Sequence, residues 1–386
     1  MGKKKLQNLH RQRGKKAKNN KSYDFLICYL LIILVKAAFH QVVQVVNRKM
    51  SKKIENVVFE GGGVLGYAYV GAAQVLEERN IVAKCFAGSS AGAMAAGLLA
   101  CRATSKQLET ALNSLDLKEM VDSSYFPPTN AYRLWYRGGW AKGNRLEQWY
   151  GDLIAQLCDG QRDITLQQVY DKFGTSIVLT GTCLQLHNTD YFMKESHPNM
   201  KLVQAVRISA GFPCVYPMVE HESKLWWDGG IGDNYPMHVF DHHGALKEEE
   251  EEGQTHQPAG TIYVPPKHCT NRFPNTATIG FKLVSLRNDC CQGDCLAHAK
   301  SGHAHQKTCT EIHNVYDALK SVASMIFEMS RRVHVHEIDW KRSVIIDAGQ
   351  AGALDFDLTD QQKISMVQNA RNATIAYLDA LDSQTE

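Results

Sequence analysis

Short apolar runs alternate with stretches of helical periodicity along this chain, and glycine-rich turns mark the joins. "IENVVFE" (54–60) is a β-branched and aromatic run that ends in three glycines, as a buried strand does. "VLGYAYVGAAQVLEERN" (64–80) has helical character and stops near Asn80. "AKCFAGS" (83–89) predicts a second strand, and "AGAMAAGLLACRA" (91–103) a helix of small residues suited to close packing. Strand, glycine loop, helix, strand, tight turn and helix in this order predict parallel strands covered by helices. Further on, "TSIVLTGTCLQLHNTDYFM" (175–193) predicts a pair of strands, and "LVQAVRISAGFP" (202–213) a helix leading into a turn at Pro213. No internal repeat is visible.

Composition changes this picture only at the ends. With 386 residues, 44% of them hydrophobic, the chain has ample material for a core. The first 23 residues carry nine Lys or Arg and no acid, leaving 34 basic against 40 acidic residues elsewhere, a balance of −6. A basic arm of this kind attracts anionic lipid or nucleic acid, but its ordinary form is a solvated, disordered tail, and no nucleic-acid partner is expected. Residues 24–49 are a hydrophobic segment whose centre is "FLICYLLIILVKAAFHQVVQVV" (25–46). Three readings stay open for it. It is a membrane anchor, weakened by Lys36, His40, Gln41 and Gln44; or the apolar part of a signal peptide; or a dispensable extension ahead of a working protein that begins at Met50. Cys85, Cys101, Cys158, Cys183 and Cys214 stand singly in apolar or turn-like segments, which suits reduced core thiols, and the expected location is cytoplasmic or membrane-associated. Residues 242–260, with five successive glutamates, predict an acidic surface loop.

The candidate chemistry begins at "GSSAG", which fits G-x-S-x-G with Gly88, Ser89, Ser90, Ala91 and Gly92. Ser90 is the middle residue and Ser89 the variable one. A nucleophile on a sharp strand-to-helix turn has its hydroxyl pushed outward, and small neighbours avoid clashes there. The helix that follows points its positive end at the reacting centre. Upstream, "GGGVLG" spans Gly61, Gly62, Gly63 and Gly66 and formally matches a dinucleotide loop. That loop would want an acid at the end of the second strand, where the Ser90 turn stands instead. An oxyanion hole made by the amides of Gly61, Gly62 and Gly63 is the better use. No histidine stands in a distinctive setting, but in "KLWWDGGIGDNYP" Asp228 lies between two tryptophans and the glycines Gly229 and Gly230. A carboxylate beside apolar rings loses hydration, which raises its basicity.

These segments resemble the patatin-like phospholipases: the glycine loop, the "GSSAG" turn, "AVRISAGFPCVYP" and the "DGG" of Asp228 stand in the family's order, with a fainter match through "NYP" to "LDFDLTDQQK". The resemblance implies an α/β fold, a three-layer α/β/α sandwich with a mostly parallel central sheet and a nucleophile elbow after an early strand. It implies a catalytic domain over 54–241 and a C-terminal part, 261–386, that completes the same domain. It further implies a Ser-Asp dyad of Ser90 and Asp228 without a catalytic histidine or any cofactor, acting on fatty-acyl esters of membrane phospholipids. The sequence departs from the family at Leu65, where Arg or Lys is common. Rival readings are a general serine esterase or thioesterase, and a catalytically weak membrane-associated binding protein. An α/β-hydrolase is disfavoured because its elbow lies deeper in the chain.

Two further features stand outside this pattern. The segment 290–309 offers Cys290, Cys291, Cys295, His298, His303, His305 and Cys309. Four of these would suffice for zinc, yet the spacings lack the usual paired arrangement, so a polar insertion with incidental Cys and His is the main expectation and no bound metal is expected. The aromatic residues of "AYRLWYRGGW" (131–140) suit either a lipid-facing lip or the core.

Overall fold

Strands β1 (Asn56–Phe59), β2 (Cys85–Gly88) and β3 (Ser176–Cys183) are buried at every position, which is why they stand in the sequence as unbroken runs of apolar and small residues. The computed structural model describes residues 54–115, 120–124, 126–243, 272–284, 312–333, 335–355 and 357–383. Its further strands are β4 (Asn188–Phe192), β5 (Val219–His221), β6 (Lys224–Asp228), β9 (Thr278–Val284) and β10 (Ser343–Asp347), with a separate pair β7 (His242–His243) and β8 (Arg272–Phe273). The main sheet runs β10-β9-β1-β2-β3-β6-β5, with β4 paired to β3. All neighbours from β10 to β3 are parallel, while β4 and β6 run antiparallel to β3. This is the mostly parallel α/β sheet that the alternation of elements predicts.

The helices are α1 (Tyr69–Glu78), α2 (Ala91–Ala100), α3 (Ser105–Asn113), α4 (Pro127–Arg137), α5 (Asn144–Leu157), α6 (Leu166–Phe173), α7 (Leu202–Ser209), α8 (Val315–Val333), α9 (Glu337–Lys341) and α10 (Asp360–Ser383). Alternate strand residues divide between two cores. Val57, Phe59, Phe86, Ile177 and Leu179 join the large cluster that includes α1, α2 and α10. Val58, Cys85, Ala87 and Val178 face Tyr235, Met237, Val239 and Phe240 in a smaller cluster. Helix α2 is buried on nearly every side, and its small residues permit this: a side-chain carbon on Gly97 would meet the Tyr150 hydroxyl at 2.3 Å.

Two buried ion pairs fasten the C-terminal strands to the rest. Lys282 Nζ on β9 lies 2.5 Å from Glu60 Oε1 at the end of β1. Arg342, just before β10, bonds Asp241 at 2.6 and 2.9 Å and Asp339 at 2.7 Å. Cys85, Cys101, Cys158, Cys183 and Cys214 are free thiols. The tail 1–23, the segment 24–49, residues 244–260 of the acidic loop and the Cys/His-rich stretch 290–309 lie outside the described residues. Among the described residues, no helix is long and apolar enough to cross a membrane.

Candidate active site

Ser90 sits between β2 and α2 with φ 52° and ψ −122°, a left-handed conformation that costs a non-glycine residue energy and holds its side chain out from the turn. The two glycines of the motif make that turn possible by close approach. A side-chain carbon on Gly88 would lie 2.4 Å from the Gly92 carbonyl, and one on Gly92 would lie 2.3 Å from the carbonyl oxygen of Phe59. The two serines differ sharply in surroundings. Ser89 is fully buried, and its hydroxyl has no partner among the described residues. Ser90 Oγ donates to Asp228 Oδ2 at 2.9 Å.

Asp228 ends β6, opposite Gly181 of β3, and is fully buried. Burial lifts its carboxyl from the ordinary 3.8 to about 7, against the pull of the hydrogen bonds from Gly230 N–H and Ser90 Oγ–H. The Gly230 amide donates to Oδ1 at 2.8 Å, so each oxygen has a designated partner. Thr182 Oγ1 donates to the Asp228 carbonyl at 2.9 Å and fixes the end of the strand. Gly229 lies where any side chain would meet Thr180. The two tryptophans that precede it behave differently: Trp226 is buried in the main core, while Trp227 donates Nε1–H to the Tyr216 carbonyl at 3.3 Å.

The glycine loop enters from β1. Gly61 is committed elsewhere: its amide donates to the Asn234 carbonyl at 2.9 Å, and its own carbonyl accepts from Asn234 Nδ2 at 2.8 Å. This narrows the expected set of oxyanion donors, because a backbone N–H so engaged is not available to a substrate. The amides of Gly62 and Gly63 have no acceptor among the described residues. Gly63 has φ +56°, and a side chain there would strike the Ala353 carbonyl at 2.0 Å. Gly66 faces Ala91, the first residue of α2, so glycine loop and elbow are in contact. Leu65 is 2% exposed within the main core, so this departure from the family pattern supplies packing.

Three supports have no local signature in the sequence. Ser209 Oγ, at the end of α7, accepts from the Ser90 amide at 3.1 Å. Asn234 Oδ1 lies 2.3 Å from where a Gly230 side chain would begin, so Asn234 stands between the glycine loop and the Asp228 turn. Glu60, which precedes the loop, accepts from Lys282 Nζ and from the Leu283 amide at 2.8 Å. Ser209 lies in "RISAG" and Asn234 in "NYP", so the motifs contain them, but nothing in the spacing says what they touch. Cys290, Cys291, Cys295 and His298, among the residues considered for zinc, fall outside the described residues.

Residues 57–241 match the model of a family described as patatin-like phospholipase. An uncharacterised Bacillus subtilis protein, YqhO, is 32% identical over 193 residues, covering 47% of this chain and 65% of its own. Triacylglycerol lipase ptl3 of Schizosaccharomyces pombe is 25% identical over 199 residues, covering 47% of this chain and 40% of the lipase. The match thus spans less than two thirds of either relative. Among solved structures, VipD from Legionella pneumophila superposes with a TM-score of 0.50 at 16% identity, covering 85% of this chain and 67% of VipD, a likeness of fold. Ser90, Asp228 and the glycine loop all fall inside residues 57–241, the stretch of this chain that is similar to the patatin-like phospholipase family.

Proposed function

We propose that this chain hydrolyses fatty-acyl esters of glycerophospholipids through an acyl-enzyme on Ser90, with Asp228 as the base. The observation that carries the proposal is the 2.9 Å contact from Ser90 Oγ to a fully buried carboxyl whose pKa lies at about 7. Such a group accepts a proton near neutral pH without a histidine between. Asp228 takes the Ser90 proton as Oγ attacks the acyl carbonyl, and the Gly62 and Gly63 amides receive the developing oxyanion. The tetrahedral adduct collapses, and the lysophospholipid alcohol leaves with the proton from Asp228. Asp228 then takes a proton from water, hydroxide attacks the acyl-serine, and fatty acid departs as Ser90 regains its proton.

Support for a lipid-surface substrate comes from the faces around the site. Helix α4 exposes Tyr132, Trp135 and Tyr136, carries Arg133 and Arg137 and no acid, and ends at Gly138, which packs on Trp227 beside Asp228. Trp135 is 84% exposed. Helix α8 exposes Val315, Leu319, Val322, Ile326 and Met329 at helical spacing, while its Phe327 packs at Gly230 and stacks on Phe212. Aromatic and aliphatic faces of this kind suit the headgroup region of a bilayer. Free thiols suit a reducing compartment, so the proposed location is the cytoplasmic surface of a membrane.

The test is fatty-acid release from phospholipid vesicles, triacylglycerol emulsion and a short soluble ester by wild type, Ser90→Ala and Asp228→Asn. Wild type is expected to prefer vesicles, with a rate that climbs as pH rises through 7, and each variant to lose about 10³-fold or more. Variants that keep the wild-type rate would overturn the dyad, and wild type inert on all three substrates would overturn the enzyme.

A further inference from the structure

At the turn of the β5–β6 hairpin, remote in sequence from the elbow, two histidines and a glutamate converge. The ligand-capable atoms of His197, His221 and Glu222 lie within 4.8 Å of one another. We propose that these three residues bind a divalent transition-metal ion, with zinc the best match to their donors.

The two imidazoles are held and presented in ligand form. His197 stands in the loop between β4 and α7, where the hydroxyl of Ser196 lies 2.8 Å from Nδ1 and 3.1 Å from the Tyr191 carbonyl. With the Ser196 proton on the Tyr191 carbonyl, Nδ1 of His197 donates to Ser196 and Nε2 carries the lone pair for a metal, the usual service of a polar neighbour to a metal-binding histidine. The Nε2 atom of His221 is buried with no hydrogen-bond partner among the described residues. Phe192 packs edge-on against both rings, with centroids at 5.2 and 6.4 Å, and so restrains their orientation.

Glu222 completes the set. Its Oε1 lies 3.9 Å from His221 Nε2, and its side chain is 61% exposed, free to swing inward. A zinc ion with bonds of about 2.0–2.2 Å needs its donors roughly 3.3 Å apart, so closure asks for movements of up to about 1.5 Å, of which the exposed carboxylate supplies its share. Two nitrogens and one carboxylate, without thiolate, select a borderline cation over magnesium or calcium. Water would fill the fourth position. The ion's role here is mechanical: β6 runs from this turn to Asp228, and the loop of His197 runs into α7, whose Ser209 holds the Ser90 amide.

The experiment is a titration of the full chain with Co(II) and Zn(II). It compares wild type, His221→Ala, Glu222→Gln and Ser196→Ala by metal content, visible absorption and Tm. The Cys/His-rich stretch 290–309 is a rival chelator, and Co(II) bound there reveals itself by a thiolate charge-transfer band. Wild type is expected to bind one equivalent more than His221→Ala, without that band, and to gain about 5 °C in Tm from saturating zinc. Glu222→Gln and Ser196→Ala should each bind at least about 10-fold more weakly. Glu222 is exposed on a turn, so its variant folds even where His221→Ala fails. Equal metal content and equal Tm response in wild type and Glu222→Gln would overturn the site, as would binding accompanied only by the thiolate band.

Discussion

The elbow around Ser90 and the glycine loop around Gly61 are both tight turns beside the proposed reaction centre, and they are held by opposite means. The elbow is made locally: glycines two residues on either side of Ser90 let β2, α2 and the end of β1 touch through backbone atoms. The glycine loop is fastened by distant residues, with Asn234 bonding Gly61 across 173 positions and Lys282 bonding Glu60 across 222. Close backbone packing resists substitution but needs no partner. A polar clasp tolerates change in the loop and fails when the far residue is lost.

Gly92→Ala breaks the first arrangement. The added carbon meets the Phe59 carbonyl, which cannot rotate aside, so stability should fall by about 4 kcal/mol or more on denaturant titration. The Asp228 turn belongs with the distantly held group, since Thr182 and Ser90 bond it across 46 and 138 positions. Its carboxyl titrates at about 7 when folded and near 3.8 when unfolded, so between those pH values the folded chain holds a proton that the unfolded chain has released. Stability contributed by that proton is present in acid and is lost as pH rises through 7, by at most roughly 4 kcal/mol. Asp228→Asn should therefore be the more stable protein at pH 8 while losing its activity, and denaturation curves at pH 5 and pH 8 check the crossing trend.

Lys282→Met breaks the second arrangement. It removes the cation paired with the buried Glu60 carboxylate, and about 3 kcal/mol of stability should go with it, measured by denaturant midpoint. Asn234→Ala sharpens the comparison most finely. It removes the bond to the Gly61 carbonyl but keeps the backbone bond from Gly61 N–H, so the fold should survive while kcat on a soluble ester falls about 10- to 100-fold with little change in KM.

The same contrast decides what was legible from residue order. β1, β2, the elbow and α2 are each specified within a dozen residues, and their pattern alone predicts them. β9 is not so visible, because Lys282 interrupts its apolar run and looks like a surface residue until Glu60 is placed beside it. Gly61 reads as a free amide for the same reason, since its acceptor belongs to a motif far downstream. Leu65 reads as a loss at the site, whereas its side chain belongs to the core.

The position of β1 between β2 and β9 bears on how the chain is made. Asn56 pairs with Cys85 on one side and with Thr278, 222 residues later, on the other. At about 5–20 residues per second on the ribosome, that second edge stays open for roughly 10–45 s after β1 emerges. An unpaired, largely apolar strand is a template for association with other chains, and nascent chains that stop short of β9 would carry it permanently. The clasp between Lys282 and Glu60 thus closes the sheet late, and protein synthesised faster than it can be shielded would be lost to aggregation before the proposed catalytic centre is complete.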